Sequence, residues 1–122
     1  MKVRLQVEYV SYEGRNDAKN YVELEKSIEL PFVPMPGLKI YLRDIDEEHP
    51  DNEKWETILD ASNGVFHTGI FELSSVLFVL ETGEFRVKSY STGGFSNTPE
   101  AIELLTQHLV TGYGFERREE FD

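Results

Sequence analysis

An alternation with a period of two residues opens the chain. Val3, Leu5, Val7 and Tyr9 are interleaved with Lys2, Arg4, Gln6 and Glu8. Successive side chains of an extended strand point to opposite faces, so this segment reads as a strand with one face buried and the other in water. A second run repeats the rhythm, with Val22, Leu24, Ile28 and Leu30 on one face and Tyr21, Glu23, Glu25, Ser27 and Glu29 on the other. The polar, turn-rich residues 13–20 join the two, which predicts a long hairpin. Lys26 breaks the inward set and is expected to mark a bulge or the edge of the sheet.

Pro31, Pro34 and Pro36 cannot donate to a ladder, so the sheet is expected to pause over 31–37 before Leu38, Ile40 and Leu42 resume the alternation. From Asp44 to Glu53 the chain holds six acids and neither lysine nor arginine, which reads as a solvated surface loop. Residues 54–61 fit two patterns. Trp55, Thr57 and Leu59 suit a strand, the preferred reading, whereas Trp55, Ile58 and Leu59 after an Asp51 cap suit a short helix.

Val65 to Leu73 alternates loosely, and Val76-Leu77-Phe78-Val79-Leu80 is apolar on both faces. A strand covered on both sides has that composition, so this segment is expected at the centre of the sheet. Thr82-Gly83 then turns the chain into Phe85, Val87 and Ser89. Near the end, Thr98 can cap a helix, Pro99 suits its first turn, and Glu100 complements the positive end of its dipole. Ile102, Leu105 and Leu109 recur at helical spacing, broadened by Ala101 and Leu104, until Gly112 is expected to stop the helix.

Strands followed by one late helix predict a single α+β domain over 1–122, mainly antiparallel β. The expected form is a curled sheet, or a small partly open barrel, covered by the C-terminal helix. A chain of 122 residues that is 39% hydrophobic and 12% aromatic can fill such a core.

Several function classes fall away on composition. With no cysteine there is no disulfide framework, thiolate metal site or thiol nucleophile. The N-terminus carries no apolar signal stretch, and the longest apolar run, Val76 to Leu80, is far short of the ~20 residues that span a bilayer. A cytoplasmic location is the resulting expectation. A formal charge of −11 repels phosphate backbones and anionic membranes, so neither direct nucleic-acid nor membrane binding is expected. The same charge either attracts a basic protein partner or serves solubility alone.

Motifs for chemistry are absent or nonspecific. The acidic stretch lacks the glycine an EF-hand needs at its sixth position, and aligning Asp44 with the first places Trp55 where the bidentate glutamate belongs. His49, His67 and His108 show no metal-binding spacing; His67 reads as a core or edge histidine with a satisfied hydrogen bond, and His108 lies near the helix end, where a positive charge favours the dipole. There is no Gly-x-Ser-x-Gly elbow, and 23 acids produce carboxylate pairs by chance. The loop 91–97 leads into a helix N-terminus that could hold an anion, but Pro99 removes a donor there and Glu100 adds a negative charge.

No catalytic, cofactor or metal residue is therefore named, and no cofactor is expected. The leading expectation is a non-enzymatic protein-binding or regulatory module. Its partner, a basic one where charge selects it, would meet the acidic loop at Asp44, Asp46, Glu47 and Glu48, or the proline segment at Phe32, Val33 and Met35. The competing reading of that segment has Phe32 and Met35 plugging one end of the sheet. Two further functions stay open: a small-molecule binder or enzyme with a pocket lined by Trp55, Phe71, Phe78 and Tyr90, and a structural subunit assembling through strand edges. The oligomeric state is left open.

Overall fold

The computed structural model describes residues 1–10, 21–42, 52–61, 70–90 and 99–118. The opening alternation becomes two strands, β1 (Lys2–Val10) and β2 (Tyr21–Glu29), paired antiparallel from Lys2↔Glu29 to Val10↔Tyr21. The register is unbroken, so Lys26 sits opposite Leu5 with no bulge. Its amine instead donates to the carbonyl of Tyr113. The segment that links these strands lies outside the described residues.

After the prolines come β3 (Lys39–Tyr41), α1 (Asn52–Ala61), β4 (Ile70–Glu72), β5 (Ser75–Val79), β6 (Glu84–Tyr90), α2 (Pro99–Tyr113) and β7 (Glu116–Arg117). Five strands form one sheet in the order β5-β6-β1-β2-β7, antiparallel except for the parallel pair β1/β6. β3 and β4 make a separate two-stranded sheet. Among the described residues the large sheet is open, with β5 and β7 at its two edges and no closed barrel, which is the α+β, mainly antiparallel architecture expected.

One face of the sheet carries Val3, Leu5, Val7, Tyr9, Val22, Leu24 and Val87, all buried, under Ala101, Ile102, Leu105 and Leu109 of α2. Each such side chain contributes about 1.5–3 kcal/mol on burial. The opposite face is polar. There Arg4 donates to Glu25 Oε2 from Nε (3.1 Å) and Nη2 (2.8 Å) and to Ser27 Oγ from Nη1 (3.0 Å). Arg118, just past β7, lies 3.4 Å from Glu25 and 3.8 Å from Glu23, and its amide donates to the Glu23 carbonyl.

Three expectations need correction. Residues 54–61, preferred as a strand, lie in α1, because Trp55 and Ile58, three apart, are both buried where α1 packs on α2, while Thr57 faces water. Gly112 does not stop α2: the helix continues to Tyr113, and Gly114, at φ +74°, takes the left-handed conformation that ends it. Val76 to Leu80 is not central, since β5 is an edge strand. Thr98, the expected helix cap, lies outside the described residues.

Candidate functional site

β5 owes its position to a tight hairpin. Gly83, at φ +70°, supplies the left-handed residue of the loop, and its amide donates to the Val79 carbonyl at 2.8 Å. At the other end of the strand the Ser74 amide donates to Lys88 O at 2.8 Å, although Lys88 stands opposite Ser75. Both ends set the phase of the ladder: Ser75, Leu77 and Val79 turn their backbone groups toward β6, which leaves those of Val76 and Phe78 on the outer side. Among the described residues nothing pairs with that outer side.

Its side chains are apolar and in water. Leu77 is 58% exposed on the polar face, Phe78 is 53% exposed on the other, and Leu80, in the turn, is 87% exposed. Phe78 rests on Phe85 with ring centroids 4.9 Å apart, so its ring is anchored on one side and open on the other. Residues 73–80 contain no charged side chain in a chain that is 29% charged. The opposite edge differs: β7 is two residues long, a glutamate and an arginine. Short, charged edges resist pairing, and β5 has neither protection.

The proline segment starts at the same end of the sheet. Phe78, Phe85, Val3 and Ile28 stand in one cross-strand row, and the segment leaves β2 just beyond Ile28. Both its ends are tied, by Leu30 N donating to Met1 O at 3.0 Å and by Gly37 N donating to Leu73 O at 2.7 Å. Pro34 is buried. Phe32, Val33 and Met35 are 48%, 50% and 67% exposed, so Phe32 and Met35 do not plug the sheet. Asp44, Asp46, Glu47 and Glu48 lie outside the described residues, as do His49, His67 and the loop 91–97.

The aromatic pocket does not assemble from its expected lining. Trp55 packs between the helices beside His108 (centroids 4.7 Å apart), Phe71 lies against Phe115 (5.8 Å), and Phe78 stands at the exposed edge. The side chain of Tyr90 is outside the described set. A groove of about 220 Å³ between α1 and α2, lined by Lys54, Thr57, Ile58, Leu104, Gln107, His108 and Thr111, is open to solvent. A polar cleft of about 210 Å³ lies beside Arg4, Lys26 and Gly114. Both fall short of the ~300–1,000 Å³ typical of ligand pockets.

Among the described residues no group of three or more histidines and acids could hold a metal ion, and no helix is long and apolar enough to cross a membrane. Electrostatic perturbation is local. The hydrogen bond that Arg4 donates to Glu25 raises the pKa of its guanidinium, and burial raises that of the Tyr9 phenol. No protein-family model, curated protein or solved structure matches the chain.

The strongest feature of the surface, the open edge of β5, was misread in the sequence as a central strand. The one signal that could have marked it was the charge-free run from Leu73 to Leu80, bounded by Glu72 and Glu81.

Proposed function

We propose that this chain is a protein-interaction module that docks its partner along the outer edge of β5. The observation that carries the reading is the conjunction of β5 backbone groups that pair with nothing among the described residues, exposed Leu77 and Phe78 on that strand, and exposed Leu80 in the turn beyond it. Main-chain hydrogen bonds to such an edge supply affinity, and alternate side chains supply selectivity. Phe32, Val33 and Met35, held on a stiff segment at the same end of the sheet, extend the apolar surface with little conformational entropy left to lose. The acidic surface lies outside the proposed contact, and steering of a basic partner is the second reading it supports.

A photo-crosslinking amino acid placed at Leu77, with Glu103 on the exposed face of α2 as control, tests this. Protein adducts are expected at 77, absent at 103, and lost at 77 when Phe78→Lys puts a charge on the edge. Equal yields at the two positions, or adducts indifferent to Phe78→Lys, overturn the reading.

A further inference from the structure

We infer that the partner seated on β5 is β5 of a second copy of this chain, paired antiparallel about a two-fold axis at Leu77. The inference rests on the reading of β5 as a docking edge and names its occupant. Two five-stranded sheets then become one continuous sheet of ten strands.

The register follows from the phase of the ladder. Val76 and Phe78 turn their backbone groups outward, and a two-fold axis at Leu77 puts Val76 of one copy opposite Phe78 of the other. The two such pairs each exchange two backbone hydrogen bonds, and Leu77 meets Leu77 in the non-bonded pair between them. Opposite residues share a face, so the two polar faces join and the two core faces join. Phe78 packs beside Val76 of the second copy, an aromatic and β-branched pair of the kind that stabilises sheets.

Local charge at the junction favours this occupant, although each copy carries −11 overall. On the polar face, β6 carries Glu84 at one end and Lys88 at the other, opposite Val79 and Ser75 of β5. The axis places Ser75 opposite Val79 of the second copy, so the row across the junction reads Lys88, Ser75, Val79, Glu84. Its ends are three strand spacings apart, about 14 Å between backbones. The axis makes two such rows of opposite charge, against the one row in which Arg86 faces its counterpart across the two leucines at the same spacing. The two-fold contact occupies β5 of both copies, so the assembly closes as a dimer instead of growing through that edge.

The test exploits the lack of native cysteine. Directly opposed residues lie about 4.5–5.5 Å apart, within disulfide range, whereas diagonal ones lie about 7–8 Å apart. Under mild oxidation Leu77→Cys is expected to form a covalent dimer about tenfold faster than Phe78→Cys. Phe78→Cys is expected to link instead to Val76→Cys when the two variants are mixed. Leu77 is largely exposed, so the substitution spares the core, and circular dichroism checks the fold.

Sedimentation of the unmodified protein is expected to pass from monomer to dimer with rising concentration, and Leu77→Lys or Leu80→Lys to hold it monomeric. Monomer at every concentration, together with equal oxidation rates for the two single variants, overturns the dimer. Photo-adducts at Leu77 with a different protein would then leave the docking edge standing without the second copy. No adduct of any kind at that position removes both.

Discussion

Replacing Lys26 by methionine tests how the sheet and α2 are joined. The ammonium leaves β2 on the core side, donates to the carbonyl of Tyr113, the last residue of α2, and lies 5.7 Å from the centre of the Phe115 ring. The final carbonyls of a helix have no partner within it and carry its negative pole. A charged donor is therefore placed where both hydrogen bond and dipole favour it. A hydrogen bond to a charged group contributes about 1.5–3 kcal/mol, a range that already contains most of the dipole effect, and the ring adds about 0.5–1 kcal/mol. Methionine keeps the apolar stem and recovers roughly 1 kcal/mol by removing a half-buried charge. The expected net loss is about 2 kcal/mol, or about 8 °C in Tm for a chain of this length. Urea unfolding followed by Trp55 fluorescence reads it well. Trp55 is the sole tryptophan, is buried, and lies 6.0 Å, centroid to centroid, from Tyr113. Amide exchange in the last turn of α2 is expected to quicken in the same variant. A midpoint for Lys26→Met equal to or above that of the parent protein refutes the argument and makes the lysine a tolerated exception in the core.

Two further measurements probe the same architecture. Gly114→Ala is expected to cost about 1–2 kcal/mol, because a Cβ at φ +74° is strained and would stand 3.3 Å from Lys26 Nζ. Gly112→Ala, whose Cβ would make only ordinary contact with His108, is expected to be neutral or stabilising by up to ~1 kcal/mol, and the reverse order in urea melts would return the helix end to Gly112. Burial holds the Tyr9 phenol above its ordinary ionisation near pH ~10, so the unfolded chain releases that proton first. Stability from this group is full below pH ~10 and declines above it. Tyr9→Phe is expected to flatten the alkaline limb of a stability–pH curve, and an unchanged limb refutes the assignment.

What was legible in the sequence was what depends on neighbours within one element. The alternation from Val3 to Tyr9 and from Val22 to Ile28 fixed which face was buried, and the pairing followed. Ile102, Leu105 and Leu109 likewise showed a helix that covers the sheet. The failures sit where a distant residue decides. Trp55, Thr57 and Leu59 made as good a strand as Trp55, Ile58 and Leu59 made a helix, and only packing of Ile58 against α2 separates them. Gly112 and Gly114 look alike until one of them adopts positive φ. Lys26 looked like a defect in β2 because the carbonyl it serves lies 87 residues further on.

β5 shows the same limit at the candidate site. A run apolar on both faces means that both faces meet apolar surroundings, and it does not say whether the same chain provides them. Within one copy, Val76 and Phe78 have β6 on one side and no partner strand among the described residues on the other, yet the run carries none of the lysine, proline or glutamate that edges ordinarily use to stay single. The composition of a central strand at the position of an edge strand is resolved if the sheet is completed by a second β5. Val76 to Leu80 then reads as central in the assembly, which is the sense in which its sequence pattern is correct.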